Sequence, residues 1–170
     1  MSRIFVEENG IYQIDLSAAD NAIGDLHEKY KSIAHMLTDV DFIAETEHEI
    51  FLIEYKNTDI KNARDSTVFK EKIKNGTFYD NILKKYYGST FYILACRKDK
   101  PINFICIIES MFLDSPMRKR MLASIKKRLP YKLQDMPEIA VNLITNFKVL
   151  SIHEWNAQYS IFPLTKLKIT

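Results

Sequence analysis

Residues 39 to 57, DVDFIAETEHEIFLIEYKN, constrain the fold more than any other stretch of this chain. Apolar and polar residues alternate on both sides of a short acidic segment, and this pattern is typical of two β-strands joined by a tight turn. If the turn is centred on Glu47 and His48, residues whose numbers sum to 95 face each other. Asp41 then lies directly opposite Glu54 on one side of the hairpin.

The two sides of this hairpin differ in polarity. The side of Asp41 and Glu54 also carries Asp39, which is predicted to lie opposite Lys56. Facing residues are about 5 Å apart and like charges repel there, so two facing carboxylates need a cation, a shared proton or a lysine. A slip of one residue in the turn would send Asp41 and Glu54 to opposite sides. The other side is apolar enough to pack on a helix, and consists of Val40, Phe42, Ala44, Phe51, Ile53 and Tyr55.

Asp41, followed thirteen residues later by Glu54-Tyr55-Lys56 at the end of an apolar strand, resembles the core of the PD-(D/E)XK nuclease superfamily. The resemblance covers roughly residues 17 to 110. It implies a restriction-endonuclease-like α/β fold, in which helices flank a mixed central β-sheet. It also implies that Asp41 and Glu54 bind Mg²⁺ or Mn²⁺ and that Lys56 orients or activates the attacking water. A surface hairpin with solvated charges is the alternative interpretation.

The superfamily often takes a third acid from its first helix. Residues 17 to 37 have a helical apolar stripe, with Ser17 as the predicted N-cap. Asp25 lies on the flank of this stripe and Glu28 lies opposite it, so Asp25 is the better candidate for a third ligand and Glu28 for a solvated partner of a lysine. The superfamily usually places a strand between this helix and the Asp-bearing strand, whereas here Thr38 alone intervenes.

The N-terminal segment is one candidate for that missing strand. Residues 3 to 15 alternate in polarity around Asn9-Gly10, a dipeptide favoured in hairpin turns. They predict an N-terminal hairpin that extends the central sheet. The other explanation is that the predicted helix at residues 17 to 37 ends early.

The middle of the chain predicts a crossover between strands. Residues 66 to 87 have a helical pattern with one glycine-containing break, and Gly88 is placed to end the helix as a C-cap. Residues 89 to 97 and 102 to 110 are apolar enough to be strands buried on both faces. A helical segment of this length is the connection that parallel strands require.

A predicted helix at residues 117 to 129 carries the densest basic cluster in the chain. Salt-sensitive, sequence-independent binding of nucleic-acid phosphates would suit this cluster, and a solvated basic face explains it equally well. The candidate nucleic-acid-binding residues are Arg118, Lys119, Lys126 and Lys127. Residues 138 to 150 predict a strand or a short helix. Ser151 and Glu154 then form a capping box that opens a further helix, in which Trp155 is predicted to be a core residue.

Charge and composition limit the class of protein. Residues 1 to 60 carry a net charge of −9 and residues 61 to 170 a net charge of +11, so the basic part could contact phosphates while the acidic part holds the metal. A length of 170 residues and 46% hydrophobic content fit a single domain over residues 1 to 170. No secretory signal or membrane span is found, so a soluble, cytoplasmic protein is expected. Cys96 and Cys106 are predicted to be buried free thiols on adjacent strands, and the histidines lack zinc-ligand spacing.

These patterns predict a Mg²⁺-dependent nuclease, a hydrolase of phosphodiester bonds. DNA is favoured over RNA as the bound nucleic acid, no membrane partner is expected, and homodimerisation is left open. The alternative is an idle module of the same fold that binds nucleic acid or a protein partner, and a third class is a purely structural partner protein. For the nuclease, we expect the carboxylates of Asp41 and Glu54 to lie on one face within about 6 Å, where they can share one cation.

Overall fold

The computed structural model describes residues 3–33, 36–58 and 62–167 of the chain, and within them a mixed α/β architecture of two sheets and flanking helices. The strands are β1 (Ile4–Val6), β2 (Tyr12–Asp15), β3 (Asn21–Ile23), β4 (Phe42–Glu45), β5 (Ile50–Asn57), β6 (Ile102–Glu109), β7 (Asn146–Leu150) and β8 (Leu164–Lys166). The helices are α1 (Leu26–Ile33), α2 (Asn62–Lys74), α3 (Thr77–Ala95), α4 (Ser115–Lys126), α5 (Tyr131–Gln134) and α6 (Ile152–Gln158).

The central sheet of the described chain has five strands in the order β3-β4-β5-β6-β7. The pairs β3–β4 and β4–β5 are antiparallel, whereas β5–β6 and β6–β7 are parallel. The strand β6 is buried along nearly its whole length because both faces of the sheet are covered. The predicted mixed sheet flanked by helices is therefore confirmed.

The hairpin of β4 and β5 has the predicted register. Phe42 lies opposite Ile53 and Ala44 opposite Phe51, so facing residues sum to 95. Thr46 closes the turn, since its backbone N–H donates to the carbonyl oxygen of Glu49 at 2.9 Å. With this register, Asp41 and Glu54 belong to the same side of the sheet.

The apolar side of this hairpin is covered by a second sheet and by α6 rather than by helices alone. Within the described residues, β1, β2 and β8 form an antiparallel sheet of three strands in the order β1-β2-β8. The N-terminal hairpin is confirmed, but the prediction that it extends the central sheet is wrong. Its buried residue Ile14 packs with Phe51, Ile53 and Trp155 in one apolar cluster. The hairpin therefore stabilises the fold because its sheet packs face to face on the central sheet.

Helices cover the opposite side of the central sheet. There α1, α2, α3 and α4 pack on the sheet residues Ile43, Leu52 and Phe104, and the aromatic rings of Tyr86 and Phe104 lie 5.3 Å apart. This is the side to which Asp41 and Glu54 belong. The acid pair therefore lies under helices, next to one of the two apolar cores.

The predicted strand at residues 89 to 97 is wrong, because α3 continues through Gly88 to Ala95. Glycine here is not a C-cap. A Cβ atom at Gly88 would overlap the carbonyl oxygen of Thr38, so the residue serves close packing of two backbone segments. Both cysteines are free, as predicted, yet Cys96 lies exposed just beyond α3 and only Cys106 is buried in a strand.

The predicted helix at residues 17 to 37 begins much later than expected. Residues 17 to 20 form a turn and β3 follows, because the free edge of β4 offers backbone partners. Asp20 N–H, for example, donates to the carbonyl oxygen of Glu45 at 2.7 Å. The Ser17 hydroxyl accepts a hydrogen bond from the backbone of Arg3 instead of capping a helix. Residues 34 and 35 lie outside the described residues.

The C-terminal elements were predicted in type but not in their bounds, since α4 spans Ser115–Lys126 and β7 spans only Asn146–Leu150. Asp114 caps α4 by accepting a hydrogen bond from Met117 N–H at 2.8 Å, and Ser151 and Glu154 form the predicted capping box of α6. Trp155 is fully buried, and its indole N–H donates to the carbonyl oxygen of Phe162 at 2.7 Å. No helix within residues 3–33, 36–58 and 62–167 is long and apolar enough to cross a membrane.

Glu7 holds the turn between β1 and β2. Its carboxylate accepts hydrogen bonds from the backbone N–H groups of Asn9, Ile11 and Tyr12 at 2.8 to 3.2 Å. Burial opposes the charge, but these hydrogen bonds outweigh it and hold the pKa of Glu7 below the ordinary value of 4.5. The turn is thereby held in one conformation.

We expect Glu7→Gln to lower the free energy of unfolding by about 1–3 kcal/mol at pH 7, because an amide NH₂ would face backbone donors. Since the folded-state pKa is lowered, the carboxylate stabilises the protein fully above 4.5 and loses its effect as the pH falls through the folded-state value. Urea unfolding between pH 7 and pH 3 measures this difference. The exposed neighbour Glu8 provides the control Glu8→Gln, and equal stability of both variants at pH 7 would contradict the assignment.

Gly88→Ala should destabilise the protein by about 1–3 kcal/mol, because the new methyl group forces the segment at Thr38 away from α3. In a helix without such a neighbour, the same change stabilises by about 1 kcal/mol. The sign of the change in melting temperature therefore tests the close approach, and a rise would show that the two segments are not in contact.

Candidate active site

The segment before β4 is docked on α3, and this contact sets the position of Asp41. The hydroxyl of Ser89 accepts a hydrogen bond from Val40 N–H at 2.9 Å. Tyr30 donates its hydroxyl hydrogen to the carbonyl oxygen of Gly88 at 2.7 Å, which ties α1 to the same turn of α3. Lys85 lies one turn earlier on α3 and therefore on the same face as Ser89.

Asp41 and Glu54 converge on the ammonium group of Lys85. The Lys85 Nζ atom lies 3.2 Å from Asp41 Oδ1 and 2.7 and 2.8 Å from the two carboxylate oxygens of Glu54. The nearest carboxylate oxygens of Asp41 and Glu54 are therefore at most about 6 Å apart. The second oxygen of Asp41 accepts a hydrogen bond from Tyr55 N–H at 2.8 Å, which fixes the side chain on the strand. The predicted geometry of the acid pair is confirmed.

Lys85 was not predicted from the sequence, although its position in the helical pattern indicates a buried lysine. It follows Phe78 by seven residues and Ile82 by three, so it lies on the buried stripe of α3. A lysine on a buried stripe needs a partner, because burying an unpaired charge is costly. The partner could not be identified from sequence, since it depends on how α3 crosses the sheet.

Burial dominates the electrostatics of this group. The side chain of Glu54 is 7% exposed, compared with 35% for Asp41 and 30% for Lys85. Burial, together with the nearby Asp41, raises the pKa of Glu54 to about 8 against the opposing effect of Lys85. Burial also disfavours the charge on Lys85, yet the carboxylates of Glu54 and Asp41 outweigh it and hold the pKa of the lysine above its ordinary value. The ammonium group of Lys85 therefore offsets only part of the cost of burying the Glu54 carboxylate.

A third acid near the pair is Asp39 rather than Asp25 or Glu28. Asp39 is buried, and burial raises its pKa despite the opposing charges of His27 and Lys85. The predicted pairing of Asp39 with Lys56 is wrong. The strand β4 begins only at Phe42, and Asp39 lies 3.6 Å from His27 Nδ1.

The two helix acids point to solvent. Asp25 and Glu28 each have a side chain that is 70% exposed, and they pair with Lys29 and Lys31 along α1. Neither contacts the acid pair, because α1 begins only at Leu26 and turns these residues outward. Both are therefore excluded as the third member of this site.

A cavity of about 380 Å³ opens beside Glu54, Lys56 and Lys85. Lys56 is exposed, as expected from its place two residues beyond Glu54 on β5. No side chain that the structure describes forms a hydrogen bond or ion pair with its ammonium group. Lys56 is thus placed to contact a molecule that enters the cavity.

The acid pair fits a hard divalent cation. Mg²⁺ in proteins is commonly held by one or two carboxylates, with water and substrate phosphate completing its coordination. Asp41 and Glu54 supply these oxygens, and they already surround a positive charge. Within the described residues no group of three or more His, Cys, Asp and Glu side chains is arranged to hold a metal ion. Protein ligation would therefore rest on these two carboxylates.

The basic cluster on α4 lies elsewhere. Arg118 is committed to Glu154 at 3.2 Å and to the carbonyl oxygen of Leu113 at 2.6 Å. Lys126 and Lys127 line a second cavity beside Tyr131, and Lys119 lines neither cavity. The cluster is distant from the acid pair because α4 packs against β7, which lies two strands away from β5 in the sheet. These four residues do not share a groove with the acid pair.

Lys85→Met should raise the affinity for Mn²⁺ by at least about tenfold, because a tethered competitor for the same carboxylates is removed. Without metal, the variant should lose about 3–5 kcal/mol of stability, since the acids lose their counter-charge. Added Mn²⁺ should restore the melting temperature. Titration calorimetry and thermal unfolding measure both effects. The exposed neighbour provides the control Lys84→Met, and an unchanged Mn²⁺ affinity of Lys85→Met would rule out a shared cation position.

Comparison with known proteins identifies no relative of this chain. No family model, no curated protein and no solved structure matches the chain. The resemblance to the nuclease superfamily rests on Asp41, Glu54 and Lys56 and on the strands that carry them.

Proposed function

We propose that this protein is a Mg²⁺- or Mn²⁺-dependent nuclease of the PD-(D/E)XK type, which hydrolyses phosphodiester bonds of DNA or RNA. The observation that carries the proposal is the convergence of Asp41 and Glu54 on one cation position, beside a cavity that Lys56 also lines. Strongly perturbed acids in a cleft are typical of functional sites, because burying them costs stability.

The topology supports a restriction-endonuclease-like arrangement with one departure. The Asp-bearing and Glu-bearing strands form an antiparallel hairpin, and α2 and α3 lead from β5 to its parallel neighbour β6. The departure concerns the strand β3, which precedes α1 instead of following it. The acid pair is unaffected, because β4 and β5 alone position it.

Each residue has a distinct task in the proposed reaction. Asp41 and Glu54 present hard anionic oxygens to the metal, and the ion would neutralise phosphate charge and activate water as a nucleophile. Lys56 extends from the end of the same strand into the cavity, where its ammonium group can hold the attacking water or a phosphate oxygen in place. Lys85 keeps the carboxylates together until the metal takes its position.

A catalytically idle module that binds nucleic acid or a protein partner is the second candidate, and Lys85 favours it. A built-in ammonium group already satisfies both acids, so the fold does not need a metal for stability. Incubation of a labelled oligonucleotide with Mn²⁺ and with EDTA separates the two candidates, since cleavage that depends on metal occurs only in the nuclease.

Lys56→Ala should lower the cleavage rate by about 100-fold or more while leaving Mn²⁺ affinity and melting temperature close to wild type, because its task arises in the transition state. Asp41→Asn should instead weaken Mn²⁺ binding directly, since it removes an anionic ligand. Cleavage assays, calorimetry and thermal unfolding on both variants, with Lys84→Ala as the control, measure these effects. A Lys56→Ala protein that cuts at the wild-type rate would end the catalytic assignment.

A further inference from the structure

The cavity beside the acid pair has three walls. One wall is the end of β5 with Lys56 and Thr58, the second is formed by α2 and α3, and the third is the β1–β2 turn with Glu8 and Asn9. Glu54 is only 5% exposed at this cavity, so a phosphate must enter the space between the walls to reach it. The shape of the substrate is therefore restricted by these walls.

The cavity has a basic side and an apolar side. Lys56 and Lys72 are exposed and line it, and neither forms a salt bridge with a side chain that the structure describes. Two positive charges of this kind suit the phosphates of a polynucleotide. On the apolar side, Val68 is 40% exposed beside the buried residues Phe78 and Ile82. An exposed apolar wall next to two exposed ammonium groups suits a ligand that has both an anionic and a flat apolar part.

The size of the cavity suits one nucleotide better than a base pair. A volume of about 380 Å³ falls at the lower end of the range of about 300–1000 Å³ for small-ligand sites. A space of this size is comparable with one nucleotide, whereas a base pair with its second strand is larger. Enzymes that hold a base in a narrow pocket use single-stranded substrate or extrude the nucleotide from the duplex, at a cost of a few kcal/mol.

The polar groups at the rim of the cavity also suit a nucleotide. Asn9 and Asn81 line the cavity with side-chain amides, which can donate to and accept from a nucleobase edge. Asn9 is held in place because its own N–H and amide bind the Glu7 carboxylate at 2.8 and 3.0 Å. The turn that forms this wall is thus set before any ligand arrives.

We propose that this cavity binds one unpaired nucleotide, with its phosphate on Lys56 and Lys72 and its base against Val68, so that the substrate is single-stranded DNA or RNA rather than base-paired duplex. The proposal rests on the proposed nuclease function and names the substrate class of the same site. Lys72 is in this scheme a binding residue, and Val68 is the residue that meets the base.

Fluorescence anisotropy tests the proposal without catalysis. Labelled 12-nucleotide single strands of DNA and of RNA, and a blunt DNA duplex of the same length, are titrated with protein in Ca²⁺. The single strand of at least one nucleic acid should bind at least about tenfold more tightly than the duplex. Lys72→Glu and Val68→Asp should each weaken single-strand binding at least about tenfold, because each places an anion where a phosphate or base would lie.

The matched control is Lys132→Glu, which reverses an exposed lysine of the second cavity and should leave single-strand binding within about twofold of wild type. Thermal unfolding of every variant identifies any that fail to fold, and the conservative pair Lys72→Gln and Val68→Ala then replaces them. Duplex binding as tight as single-strand binding would overturn the proposal. So would equal binding by the cavity variants and the control.

Cleavage assays on the same oligonucleotides in Mn²⁺ separate this proposal from the nuclease function. Single-strand binding at the cavity without cleavage would support the nucleotide site and overturn the nuclease. Preferred binding and cleavage of the duplex would support the nuclease and overturn the unpaired-nucleotide site.

Discussion

The contact between α3 and the segment before β4 is the constraint on which the site depends. The missing side chain of Gly88 lets the backbone of Thr38 approach, and Ser89 binds Val40 N–H. This contact fixes Asp41 opposite Glu54 and places Lys85 above them, one helical turn away. If the crossing of α3 over the sheet shifted by one turn, the acids would lose their counter-charge and the fold would contain two buried carboxylates without a partner.

The chain thus tolerates an arrangement that costs stability. Replacing a buried ionic group by apolar residues is often neutral or stabilising, so such groups are weak evidence for a stabilising role. Here the rest of the hairpin has strong apolar packing on both sides, from α3 and α4 on one and from Trp155 and Phe162 on the other. Two apolar cores therefore carry the stability, and the two acids hold the ammonium group of Lys85.

The hairpin could be predicted because its alternation is local. Facing residues in β4 and β5 are set by the length of the turn, and a turn centred on Glu47 and His48 gives the register that the structure has. The caps of α4 and α6 are predictable for the same reason, because each capping side chain binds a backbone N–H group within four residues of it.

What could not be predicted depends on tertiary contacts. Residues 89 to 97 are apolar enough for a strand, and only their packing under the sheet shows why they continue α3. In the same way, residues 17 to 23 were predicted to begin a helix, but residues 21 to 23 pair with the open edge of β4 as a strand. Lys85 binds Glu54, which lies 31 residues earlier in the sequence. No local sequence pattern encodes a contact over this separation.

The sheet of β1, β2 and β8 sets an order of events during synthesis. Its middle strand β2 pairs Ile14 with Leu164, about 150 residues further along the chain. At about 5–20 residues per second, roughly 8–30 s pass between the emergence of these two strands from the ribosome. From its own synthesis until β8 follows, the apolar face formed by Phe51 and Ile53 lacks part of its cover. The three residues of β8 thus determine how long the nascent protein exposes this apolar surface to other molecules.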